Sequence, residues 1–489
     1  MIHKYSHFFL TIQKNRTEIR RTLIRILNYL CGPNSDTMAN DLTKGSPARV
    51  IFVYSLPIIL GNVFQQVYNL VDTVIVGRLV NYQALAGVGI TNGLTFLVMG
   101  FVFGITGGLG IKIAQYFGAQ DWAGLRRSVG TSLIISTVLA VLLTVTAVTC
   151  TEPMLRLIGT GPEIFPYSRD YLIILFAGIS TQTAYNLISC ILRGLGDSRT
   201  PLYFLIFSSL LNVGLDILFI GGLRWGVKGA AFGTVISQAT SAVLCFIYAF
   251  RHYKVIRISR GDLQTSRAFV WEHLRIGIPM ALQFSITAVG IVMLQAALNS
   301  FPPTYIAGFS AASKIQSIGS LVAISFGVAI ANYAGQNYGA GDIRRVRRGV
   351  TVTVMMTLSV CLVASVLMAT LATPLTSLFL DPGTAANGEI YEASRRYLYT
   401  SATFFPFLYL IFVYRNALQG IGKTFLPLMA GVLELVIRAV GSHTLPHMFG
   451  YPGVPMVDVS AWIGACVMLF ISYRIQMPKP DSVPDIKKV

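Results

Sequence analysis

Apolar runs long enough to cross a membrane recur along the chain at roughly 50–76, 88–111, 129–149, 171–192, 201–221, 229–250, 276–298, 306–333, 350–371, 397–419, 425–442 and 457–475. A hydrocarbon core about 30 Å thick takes ~20 residues of α-helix to cross. Inside it every backbone N–H and C=O must be paired within the segment. The twelve runs are therefore predicted as transmembrane helices, numbered here spans 1 to 12. The divisions near 299–310 and 443–457 are the least marked.

The polar segments between the runs set the orientation. With the N-terminus inside, the cytoplasmic segments carry Arg126 and Arg127, Arg193 and Arg199, the series Arg251, Lys254, Arg257, Arg260, Arg267 and Arg275, the cluster Arg344, Arg345, Arg347 and Arg348, and Lys479, Lys487 and Lys488. The opposite segments carry Arg78, Arg156, Arg169, Arg224, Lys228, Arg395 and Arg396. Every second loop is basic, as the positive-inside rule requires. Both termini are expected in the cytoplasm of a bacterial cell, with the chain in the inner membrane.

Composition agrees. Of 489 residues, 54% are hydrophobic and 12% charged, against about 25% charged in a soluble domain. The formal net charge of +18 would suggest nucleic acid in a soluble protein. Here topology accounts for it, and no nucleic-acid partner is expected. The six cysteines, Cys31, Cys150, Cys190, Cys245, Cys361 and Cys466, form no C-x-x-C pair and read as apolar packing residues.

The chain repeats itself. "GAQDWAGLRRSVG" at 118–130 resembles "GAGDIRRVRRGV" at 339–350, an offset of 221 residues, and "QALAG" at 83–87 falls near "TYIAG" at 304–308. "RGLGDSRTP" at 193–201 resembles "QGIGKTFLP" at 419–427, at an offset of 226. Similar segments in the same order, six spans apart, imply two parallel halves related by an axis along the membrane normal. The division is an N-lobe at 38–250, a basic linker at 251–275, a C-lobe at 276–475 and a tail at 476–489. Substrate is expected between the lobes near mid-membrane. Residues 1–37 stand apart: "RTEIRRTLIRILNYL" suits a helix on an anionic leaflet, while "MANDLTKGSPARVIFVYSLPI" reads equally as a start at Met38.

These residues resemble a known family. "ANDLTKGSPARVIFVYSLPIILGNVFQQVYNLVDTVIVGRL" at 39–79 is similar to the opening of bacterial multidrug-and-toxin-extrusion (MATE) exporters of the MOP superfamily. "GAQD" and "GQNYGAGD" resemble the family's paired loop motifs, and "LRGLGDSRTPLYF", "LNVGLDILFI" and "WGVKGAAFGTVISQ" resemble its spans 4 to 6. The resemblance covers 39–475. It implies an all-α fold of twelve helices in two six-helix lobes, a central cavity, and export of small organic, often cationic, compounds driven by inward H⁺ or Na⁺. No cofactor is implied, and a monomer is expected.

An ionisable group within a membrane is a functional candidate by default. Asp72 lies in span 1 and Asp216 in span 5, with Asn212 four residues earlier on the same face and Thr234 in span 6. Close, desolvated carboxylates favour holding a proton, and the same oxygens suit Na⁺. The resemblance makes Asp72, Asn212, Asp216 and Thr234, with Tyr171 in span 4, the N-lobe ion site of the DinF-like branch, and Pro57 the position where span 1 bends. No other metal site is expected. The NorM-like branch instead uses acids on spans 7 and 10, and neither 276–298 nor 397–419 holds an Asp or Glu. Glu434 and Arg438, four apart in span 11, read as a structural ion pair, and Lys314 and Arg415 as side chains snorkelling to an interface.

Three other patterns fail. "QGIGKT" at 419–424 has Ala417 where a P-loop needs its first Gly. His443 and His447 lack an intervening Glu and sit by Pro446 in an expected outer loop. "GFVFG" at 100–104 reads as a helix-packing contact. Without a soluble nucleotide-binding domain, ATP is not the direct energy source. Two alternatives are a lipid-linked sugar flippase of the same superfamily and a membrane-embedded polyprenyl-phosphate transferase. The first would favour a cavity lined by Arg and Lys without Asp72 and Asp216. The second needs acidic, metal-binding cytoplasmic loops, and these loops are Arg-rich.

Overall fold

The computed structural model describes residues 41–379 and 387–479. The tail at 1–37, Met38, Cys31 and most of the segment after 476 lie outside the described residues. Among those described, all regular structure is helical.

The N-lobe is built from α1 (Pro47–Leu79), α2 (Tyr82–Gly118), α3 (Trp122–Leu157), α4 (Phe165–Ala177), α5 (Ile179–Gly194), α6 (Arg199–Asp216) and α7 (Val227–His252). The C-lobe follows as α8 (Arg267–Leu298), α9 (Pro303–Gly339), α10 (Ile343–Thr370), the short α11 (Ala372–Ser377), α12 (Asn387–Gly420), α13 (Phe425–Phe449) and α14 (Gly453–Gln476). Eleven helices are long and apolar enough to cross a membrane. The pair α4 and α5, bent by 49°, supplies the twelfth span. The break falls at Gly178, which packs against Val235 of α7. The uniformly apolar run 171–192 gave no sign of it.

The helices outrun the apolar runs, and several expected loops shrink. The segment 112–128 is mostly helix, with only 119–121 between α2 and α3. Lys112, expected in that loop, is instead fully buried on α2, its Nζ 3.6 Å from Glu272. The linker is shorter than 251–275. Two 3₁₀ turns, Lys254–Ile256 and Arg260–Leu263, lead directly into α8. Ser259 donates its backbone N–H and hydroxyl to Asp262 at 2.7 and 2.8 Å, and these bonds hold the Asp262 carboxyl below its usual range. His443 and His447 lie within α13, which runs through Pro446, rather than in a loop.

Each lobe has its own apolar core. Leu172, Phe176, Ile188 and Leu192 are fully buried in the N-lobe, as are Leu398, Phe405, Tyr409 and Leu418 in the C-lobe. The lobes meet along α2, α8 and α9. A Cβ on Gly104 would overlap the Ala281 backbone, and one on Gly108 would lie 2.5 Å from Gly277 Cα, so α8 touches α2 backbone to backbone. Every residue from Gly108 to Phe117 on α2 and from Ala329 to Gly339 on α9 is buried. Those stretches run to the end of the bundle that carries the turns at 119–121 and 340–342, called the basic face below.

Candidate functional site

At the other end of the N-lobe, α1, α4, α6 and α7 bring polar side chains together in an apolar bundle. Asn212 and Asp216, one turn apart on α6, are both buried, Asp216 completely. Directly after Asp216 the helix widens into a π-helical turn, Ile217–Gly222. Such turns shift the hydrogen-bond register and recur at functional sites.

With its amide satisfying both neighbours, Asn212 donates to Asp216 Oδ2 at 2.9 Å and accepts from the Thr234 backbone N–H at 3.0 Å. Asp72 of α1 faces this pair, its carboxyl within hydrogen-bonding distance of that of Asp216. Two carboxylates are both acceptors, so the contact becomes a hydrogen bond only when one of them carries a proton. Asp72 Oδ1 is buried and has no hydrogen-bond partner among the described residues. Tyr171, buried on α4, lies within electrostatic reach of Asp72 and Asp216.

All five residues singled out for an ion site thus converge. Pro57 does not join them: it is buried fifteen residues before Asp72, ~22 Å along α1. Two members were missed from sequence. The Tyr68 hydroxyl is 3.4 Å from Thr234 Oγ1, and its spacing of four residues before Asp72 was a usable signal. Gly233 leaves room for the carboxylate, since a Cβ there would overlap Asp216 Oδ1.

The C-lobe holds a second polar system of another kind. Glu434 pairs with Arg438 at 3.1 Å, as expected, but also with Arg415 at 3.3 Å. Arg438 reaches Asp458 at 3.1 Å, and the Tyr397 hydroxyl sits 3.0 Å from Asp458 and 2.6 Å from Gln316. Arg415 donates to the Gln283 carboxamide oxygen at 2.8 and 2.9 Å. The snorkelling expectation for Arg415 is therefore wrong. It is 9% exposed and points inward, because a buried carboxylate on α13 and an amide on α8 accept its donors. Lys314 is exposed, its Nζ over the Phe379 ring at 5.5 Å. Two guanidiniums, which stay charged, balance two carboxylates, so this cluster is neutral and closed.

A twelve-span helical bundle in two repeated lobes, with a carboxylate pair buried in one, defines the chain as a multi-pass membrane protein of the transporter type. Comparison with known proteins narrows that class. The MatE family model matches residues 57–218 and 276–444, one stretch in each lobe. The chain belongs to the MatE family. A probable multidrug resistance protein of Bacillus subtilis, YpnP, is 29% identical over 440 residues, covering 89% of this chain and 97% of that protein. The probable multidrug resistance protein NorM of Thermotoga maritima is 25% identical over 388 residues, covering 78% and 82%. A solved structure described as the outward-facing conformation of a multidrug resistance MATE family transporter of the MOP superfamily matches the fold with a TM-score of 0.84, at 24% identity, over 91% of this chain and 99% of that one. At the level of the family, then, the chain is a transporter of small molecules across a lipid bilayer, of the multidrug-resistance type.

Proposed function

We propose that the chain is an antiporter of the bacterial inner membrane, acting as a monomer, that exports organic, often cationic, compounds in exchange for H⁺. Asp72 and Asp216 are the coupling groups, with Asn212, Thr234 and Tyr171 around them. Both termini and the basic face lie in the cytoplasm.

One observation carries the choice of ion. Asn212 turns its NH₂ toward Asp216 and its carbonyl oxygen to the Thr234 backbone. A hard cation such as Na⁺ seeks oxygen ligands, and that carbonyl is already engaged. The two carboxyl groups instead approach as partners for a shared proton. The proton would join α1 to α6, and its release would let α1 move. A ligand shifts a conformational equilibrium only through its different affinity for the two states. A proton that fits between the carboxyls in one arrangement of α1 and not in the other supplies that difference.

The test is transport in proteoliposomes with proton and sodium gradients imposed separately. The proton gradient alone is expected to drive export. Asp72→Asn and Asp216→Asn should each abolish it while the protein still inserts. Near-normal transport by Asp216→Asn would move the coupling site elsewhere, and export driven by Na⁺ alone would overturn the choice of ion.

A further inference from the structure

Two glutamines, one repeat apart, cross between the lobes at the basic face. Gln115 near the end of α2 donates its Nε2 to the carbonyl of Gly420, the last residue of α12, at 3.0 Å. Gln336 near the end of α9 donates its Nε2 to the carbonyl of Gly194, the last residue of α5, at 2.8 Å. Gln115 and Gln336 are 221 residues apart, and Gly194 and Gly420 are 226 apart, the offsets of the internal repeat. The two bonds are therefore symmetry mates. Each glutamine reaches into the other lobe and satisfies a helix-end carbonyl that its own helix cannot.

Both glutamines are fully buried. Their backbones are also at closest approach there. A Cβ on Gly118 would overlap the Gln336 carbonyl, and one on Gly339 would overlap the Gln115 carbonyl. Only glycine lets α2 and α9 cross at this distance. Gln336 also accepts from the backbone N–H of Leu42 at 2.9 Å, which ties the segment before α1 to the same point.

We infer that the Gln115–Gly420 and Gln336–Gly194 bonds are a latch that holds the lobes together at the basic face, and that breaking both is the step that opens the substrate path on that side. The chemistry suits a reversible closure. When the lobes part, the amides and the helix-end carbonyls all meet water, so neither state leaves a polar group unpaired. The side on which the path opens rests on the orientation proposed above, but the latch itself does not.

The experiment places spin labels at Ala119 and Ala340, in the turns that follow α2 and α9, in nanodiscs without drug or gradient. The unsubstituted glutamine pair should give mainly the short distance. Gln115→Ala and Gln336→Ala should each raise the ratio of long to short distance about fivefold, as expected for one buried hydrogen bond, and the double variant about 25-fold. Gly118→Ala should act in the same direction by keeping the crossing helices apart. Gln115→Asn and Gln336→Asn, which keep the amide but shorten its reach, take over if the alanine variants fail to insert. A distance distribution unchanged in the double variant, of either set, overturns the latch. Because the readout uses neither gradient nor substrate, loss of proton coupling in the transport assay would leave it standing.

Discussion

Gly233→Ala adds one methyl group at the edge of the carboxylate site. Built on the existing backbone, its Cβ overlaps Asp216 Oδ1 and lies 3.4 Å from Asn212 Nδ2. Asp216 cannot simply retreat, because it is fully buried, held by Asn212 at 2.9 Å, and faces Asp72. Either its carboxyl rotates away from its partners or α6 and α7 separate. Overpacking of this size costs about 1–3 kcal/mol. At 1.4 kcal/mol per factor of ten, that is roughly a 5- to 150-fold loss if it falls on ion binding. The assay is the rate of drug export in proteoliposomes against the size of the imposed proton gradient, beside thermal unfolding of the same preparation. The variant should need a much larger gradient for half-maximal export while its unfolding temperature falls only modestly. Gradient dependence and stability both equal to those of the parent would show that Asp216 is free to move, and the tight-site reasoning would fail.

Glu434→Gln should lower thermal stability and expression without uncoupling export, because it leaves Arg415 and Arg438 buried with too few acceptors, a loss of about 3–5 kcal/mol; an uncoupled but stable protein would move the coupling site into the C-lobe. Gly104→Ala should reduce the yield of folded protein more than Ala→Gly at Ala329, since its methyl meets the Ala281 backbone, and equal yields would contradict the contact. Deleting residues 1–37 should leave export unchanged if Met38 is the start, and loss of activity in that truncation would favour the surface-helix reading instead.

Much of this was legible in the sequence, for identifiable reasons. The spans were readable because bilayer thickness dictates their length, and Asn212 and Asp216 because four residues make one helical turn. Their meeting with Asp72 came from family resemblance, since no periodicity says which helices are neighbours. Gly233 was invisible because its role is to have no side chain, which shows only once Asp216 is placed beside it. Asp458 sits near the start of α14, where an acid reads as a helix end facing water. Only the partner Arg438, on another helix, shows it to be buried. Arg415 was misread for the same reason: hydropathy locates a cation along the membrane normal but not which way it points.

The two lobes are repeats, yet their leading helices are held differently, and this bears on which one can move. Pro57 in α1 has a counterpart in Pro279 of α8, so either helix has a place to bend. At the same offset, Asp72 corresponds to Leu294, so only α1 carries a carboxylate on which an ion can act. The surfaces they pack on also differ. α8 lies on Gly104 and Gly108 of α2 in backbone contact. The matching positions on α9, an offset of 221 residues away, are Ser325 and Ala329, whose side chains keep α1 further off, and Asn62 donates to Ser325 Oγ at 2.9 Å. Backbone contact between helices leaves no slack for bending, whereas one side-chain hydrogen bond can be exchanged for water at little net cost. The C-lobe adds fixed guanidinium charges in place of a site that binds and releases an ion. A repeat that began as two equal halves has thus become one braced half and one responsive half, with the carboxylate pair on the helix that is free to answer it.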